Sequence, residues 1–85
     1  MTFATAELPL KFYVRFDNDD EIYEGCLDEI INIDEEKDQC TFVVTDLMPE
    51  KAQLTIPYSQ IDQKTIHFET GIHLYIHQED AQNER

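Results

Sequence analysis

Apolar residues in this chain recur at every second position, and almost nowhere at the spacing of an amphipathic helix. Phe12, Val14 and Phe16 share one parity; so do Leu54, Ile56 and Tyr58, and again Ile72, Leu74 and Ile76. Side chains alternate between the two faces of a strand, so this pattern specifies half-buried β-strands. Turn chemistry separates the runs. Asp17-Asn18-Asp19-Asp20 offers short polar side chains that bond their own backbone, and Asp34-Glu35-Glu36-Lys37-Asp38 supplies a second turn. Between them a long second strand is expected over residues 21–33, with Gly25 inside it as the site of a bulge or bend that lets one strand serve two sides of a barrel.

The third strand is read over residues 40–45, rich in β-branched and aromatic side chains, and Met48-Pro49-Glu50-Lys51 forms the next connection. A fourth strand over residues 53–58 must lie at an edge or end at Pro57, which has no N–H for a ladder. Ser59-Gln60-Ile61 reads as a one-turn link to a strand at residues 65–68, and Glu69-Thr70-Gly71 closes a hairpin to the last strand. With 85 residues the chain holds one domain. The expectation is a mainly β fold: a small barrel of five to six short antiparallel strands over residues 11–77. Residues 1–10 form an extended or flexible segment, where Pro9 cuts short any helix begun at Thr5 to Leu8. Residues 78–85, polar and aperiodic, read as a flexible tail.

Charge narrows the function. Nineteen Asp and Glu stand against six Lys and Arg, a net charge of −13. Eleven of the acids fall in residues 17–38 (Asp17, Asp19, Asp20, Glu21, Glu24, Asp28, Glu29, Asp34, Glu35, Glu36 and Asp38), with Lys37 the single base among them. A field of that sign repels phosphate backbones and anionic lipid headgroups and attracts basic protein surfaces. Direct nucleic-acid or membrane binding is therefore not expected. The plainer reading, that acids keep a small protein dispersed and monomeric, stands beside the partner reading. No run approaches the ~20 apolar residues of a membrane span, and residues 1–10 lack the basic and apolar regions of a secretory signal. Cys26 and Cys40 fit neither a disulfide framework nor a metal spacing, so reduced thiols in a cytoplasmic protein are expected.

The succession of strand, acidic turn, long strand with a central Gly, acidic turn, strand, edge strand, one-turn link and short strand resembles the SH3-like and Sm-like small barrels. Tyr23-Glu24-Gly25-Cys26-Leu27 looks like the family's aromatic-x-Gly-x-Leu second strand, and Ile56-Pro57-Tyr58-Ser59-Gln60-Ile61 looks like the strand and short turn before its fifth strand. RNA-binding members carry Asp and Asn where this chain has Ile31 and Glu35, and the bacterial RNA-chaperone branch carries Lys and His where it has Pro57 and Tyr58. The RNA-binding residues thus do not carry over. In size and charge the chain is similar to the acidic Rho-binding antitermination inhibitors (the Rof family), without that family's acidic N-terminal helix. The likeness to that family is at the level of fold and charge.

Residues 17–28 place acids where a calcium loop has them, but Ile22 stands where the sharp turn needs Gly, so these are read as solvated turn acids. His73 and His77 lie four apart on a strand, about 13 Å, too far to share an ion. His67 can face His73 across the hairpin, giving two ligands without an evident third, so no metal or cofactor is expected. Ser59 lies in no Gly-x-Ser-x-Gly turn, the cysteines sit in an acidic region, and no Gly-rich phosphate loop exists, so no enzyme is expected. The candidate partner-binding residues are Asp19, Asp20, Glu21, Glu24, Asp28 and Glu29, a row of carboxylates about 6.8 Å apart where they alternate along a strand. Tyr13 or Tyr23 would serve as the aromatic anchor. Self-association through edge strands, as in Sm-like rings, is the alternative, with a monomer preferred because Pro57 and the acids oppose edge pairing.

Overall fold

The computed structural model describes residues 2–45 and 52–83. Six strands form one antiparallel sheet: β1 (Leu10–Phe16), β2 (Tyr23–Asp34), β3 (Gln39–Thr45), β4 (Ala52–Ile56), β5 (Thr65–His67) and β6 (Ile72–Tyr75). Their order is β4-β3-β2-β1-β6-β5, so the chain meanders outward from the first hairpin and adds the last two strands on its other side. The sheet curls into a half-barrel with β4 and β5 as its edges. Parity sets the faces. Leu10, Phe12, Val14, Leu27, Cys40, Phe42, Val44, Ile56, Ile66 and Leu74 point inward and are buried. The core is thus the lining of the curl, as the alternation requires.

Local chemistry ends β4 and closes the last hairpin. β4 runs along an edge and stops at Ile56, and Pro57 leads into a single 3-10 turn at Tyr58–Gln60. Gly71 takes φ +88°, a left-handed conformation open to glycine, and closes the β5–β6 hairpin. Asp38 also has positive φ, 54°, and is held by its bonds: its Oδ1 accepts the Ser59 N–H at 2.6 Å, Oδ2 accepts the Ser59 hydroxyl at 3.1 Å, and its carbonyl accepts the Tyr58 N–H at 3.1 Å. The β2–β3 turn is thereby clasped to the turn after β4. The proposed connection at Met48-Pro49-Glu50-Lys51 lies outside the described residues.

Three expectations need correction. Gly25 lies inside regular β1–β2 pairing opposite Phe12; the register shifts of β2 fall between Leu27 and Glu29 and between Ile30 and Asn32. β2 still serves two sides of the curl, pairing with β1 up to Leu27 and with β3 from Cys26 onward. Residues 2–10 are not loose: Phe3 is 2% exposed within the core, and Phe3 N and Ala4 N donate to the carbonyls of Gln63 and Ile61; Met1 lies outside the described residues. An aromatic with no strand parity to reveal it filled the base of the half-barrel. Nor is the tail simply flexible, because Gln78–Asn83 forms a helix, α1, that packs against β1 and β6 with Ala81 buried. Six residues are too few to display an amphipathic period, so one buried alanine escaped notice; residues 84–85 of that tail are outside the described residues.

Candidate functional site

The surface considered first is the acidic one built on β2 and its two turns. Cross-strand register decides which way each side chain points. Glu24 lies opposite Tyr13, and Cys26 opposite Lys11 and Thr45, all on the convex face of the sheet. Glu24 reaches back to Lys11 in an ion pair at 3.0 Å. Past Leu27 the first register shift takes up Asp28, and Glu29 then falls opposite Val43. The inserted residue breaks the alternation, so Asp28 and Glu29 follow one another where a regular two-residue row was expected. Asp28 is half-buried, and its Oδ1 accepts the Cys26 thiol at 3.6 Å. Glu29 is exposed.

The β1–β2 turn holds the other candidates. Asp19 organises it, with Oδ1 accepting the Glu21 N–H at 2.8 Å and Oδ2 accepting the Tyr23 hydroxyl at 2.5 Å. That short contact holds the Asp19 carboxyl below its ordinary range, helped by the Glu21 N–H. The same bond to a carboxylate pushes the Tyr23 phenol up to about 12. Asp20 and Glu21 are exposed at the tip. The candidates thus divide into a turn group (Asp19, Asp20, Glu21, Tyr23) and a strand group (Glu24, Asp28, Glu29). Tyr13 is half-buried on the convex face, so Tyr23, 36% exposed, is the more accessible aromatic.

Several acids have work inside the fold. Asp34 Oδ1 caps the Lys37 N–H at 3.1 Å, Glu35 accepts the Tyr58 hydroxyl at 2.8 Å, and Asp38 clasps Ser59. The Glu35 carboxylate raises the Tyr58 phenol. The acid run is therefore in part turn chemistry, and Asp17 belongs to a further arrangement. His67 and His73 are direct partners in the β5–β6 ladder, as the hairpin reading expects, with their Nδ1 atoms 2.7 Å apart. His73 Nε2 meets Asp17 Oδ1. An Nδ1–Nδ1 hydrogen bond requires one ring to donate its N–H and the other to accept with a bare nitrogen. Among the described residues no group of three or more His, Cys, Asp and Glu side chains is arranged to hold a metal ion. Asp17 was missed as the partner of His73 because nothing local links residues so distant in sequence.

Neither cysteine is in a disulfide; Cys26 is half-buried and Cys40 buried. Burial, rather than the neighbouring acids, pushes the Cys40 thiol up. Among the described residues no helix is long and apolar enough to cross a membrane.

The concave side carries a feature that parity hinted at and charge obscured. Where the half-barrel stays open, Val14, Phe16, Tyr23, Leu54, Ile72 and Leu74 line an apolar cleft of about 450 Å³. Phe16 and Tyr23 meet edge to face at its rim, their ring centroids 5.6 Å apart. At the other end of β2, Ile30, Ile31 and Ile33 are 41%, 45% and 52% exposed. Ile30 and Ile33 share the register of the buried Phe42 and Cys40, but β1 begins at Leu10 opposite Leu27 and does not extend over them.

Comparison of the chain with protein-family models, with curated proteins and with solved structures gives no significant match, so its fold and site rest on its own residues.

Proposed function

We propose that this chain is a non-enzymatic, acidic protein-binding module that docks its negative surface on a basic, nucleic-acid-binding protein and modulates it. The observation that carries this reading is the surplus of carboxylates: with a net charge of −13, most of them have no Lys or Arg within the chain to answer them. Asp20, Glu21 and Glu29, with Glu24 beside its Lys11 partner, are exposed on β2 and the turn before it, where a Lys/Arg-rich surface can approach them. Such carboxylates compete with phosphates for a basic groove, so the module acts as a regulator or a nucleic-acid mimic. The likeness in size and charge to the Rof family supports the same reading. Long-range charge speeds encounter more than it tightens the complex, so an apolar anchor must add affinity. Cys26 and Cys40, not joined in a disulfide, suit a reducing cytoplasm.

A second reading, self-association through edge strands, draws on the open edges at β4 and β5. Mutual repulsion between copies, each at −13, works against it. Affinity capture from lysate at ~50 and ~300 mM salt separates the readings, because added salt shortens the Debye length. Basic nucleic-acid-binding proteins retained at the lower salt and released at the higher support the first. Capture of no basic protein at either salt, with a size-exclusion mass above the monomer, would favour the second.

A further inference from the structure

We propose that the open end of the half-barrel is a peptide-docking groove, which takes an extended, Lys/Arg-bearing segment of the partner with one aliphatic or aromatic side chain buried in the cleft. The inference rests on the basic-partner reading and adds where the complex is anchored. Three observations converge. The cleft, about 450 Å³ in volume, is walled by Val14, Phe16, Tyr23, Leu54, Ile72 and Leu74. That space accommodates a large apolar side chain with part of its backbone. Its rim is acidic, since Phe16 and Tyr23 are joined by the turn bearing Asp17, Asp19, Asp20 and Glu21. Finally, among the described residues Ala52–Ile56 of β4 is the last strand of the sheet, paired with β3 on one side and presenting its other edge beside the cleft.

Each feature selects part of the occupant. An edge strand pairs with extended backbone, and the pocket beside it takes alternate side chains. The apolar wall accepts a Leu, Met or Phe. The acidic rim repels an acidic segment and favours bases flanking the anchor, whose aliphatic stems can lie along the Phe16 and Tyr23 rings while their charges reach the carboxylates. A second copy of this chain satisfies the edge but not the rim, because it brings −13 to a negative mouth. The occupant is therefore a basic segment of another protein.

The test uses short synthetic peptides and the full chain labelled for NMR. The first peptide has one central Leu flanked by lysines; the second replaces that Leu with Ser; the third replaces the lysines with Glu. The first is expected to bind at ~50 mM salt, shifting the backbone amides of Ala52–Ile56 and the methyls of Leu54, Ile72 and Leu74. It should bind about tenfold or more tightly than the Ser peptide, the ratio that one buried aliphatic side chain confers. Ala52→Phe, which fills the cleft while keeping the strand apolar, should erase that advantage; an unchanged melting temperature shows that the fold is intact. Equal binding of the Leu and Ser peptides would overturn the groove while leaving the acidic reading standing. Shifts confined to Ile30–Ile33, or a dependence of the Ala52–Ile56 shifts on protein concentration alone, would overturn it in favour of another surface or a second copy. Silence of both lysine peptides would sink the groove and the basic-partner reading together.

Discussion

Asp38 shows how a single acid in a crowded run can serve the fold. Its positive φ is tolerated by Asp, and its carboxylate holds the Ser59 N–H and hydroxyl. Asp38→Ala is expected to cost about 1–3 kcal/mol in urea denaturation, combining backbone strain with lost charge-assisted bonds. Asp38→Gly should recover the strain but not the bonds; equal losses for both would show that φ is irrelevant. Asp19 and Tyr23 make a pH-dependent pair. The Tyr23 phenol is raised to about 12 by its bond to Asp19, so this contact's contribution is complete below the ordinary phenol value of ~10 and fades as pH climbs toward 12. Asp19 is lowered, so on the acid side its contribution is present above the ordinary carboxyl value of ~3.9 and is lost as pH falls through the lower folded value. Absorbance titration, with Tyr23→Phe to assign the signal, should show Asp19→Asn returning the phenol to about 10. The thiols offer a third check. Cys26 should react with a thiol reagent in the native protein, whereas Cys40, buried and with its thiol pushed up, should react only as the chain unfolds.

At the scale of elements, α1 makes the sharpest prediction. Ala81 is fully buried where α1 meets β1 and β6. Ala81→Glu should undock the helix for about 1–3 kcal/mol, a cost limited because the helix can leave and hydrate the charge. Amide exchange should then quicken in β6 while β3 keeps its protection; unchanged exchange in β6 would mean that the helix carries no stability. The strands were legible because alternation needs only a few residues: Phe12, Val14 and Phe16 announced β1, and Pro57 marked the end of β4. Gly25 misled, since it sits in regular pairing opposite Phe12, while the register shifts came at positions no residue type announced. α1 and the packing of Phe3 depended on the whole curled sheet being in place. The acidic residues of the candidate site were readable by name, but their division between turn bonds and open surface was not. The cleft was half-written in Phe16, Ile72 and Leu74, whose shared face could be read although the opening beside them could not.

For the whole molecule the net charge of −13 acts in two opposite directions. Self-repulsion opposes folding, so moderate salt should raise the melting temperature as it screens the carboxylates. The same salt should weaken the complex with a basic partner. That opposition separates a charge that serves association from one that serves dispersal alone. The most direct measurement immobilises the protein and a variant in which Asp19, Asp20, Glu21, Glu24, Asp28 and Glu29 are replaced by their amides, and exposes both to the heparin-binding fraction of a lysate at ~50 mM salt. The account predicts that basic nucleic-acid-binding proteins are held by the unaltered chain and lost from the amide variant, with the fold of both confirmed by melting. Equal retention by the two, or retention by neither, would contradict it.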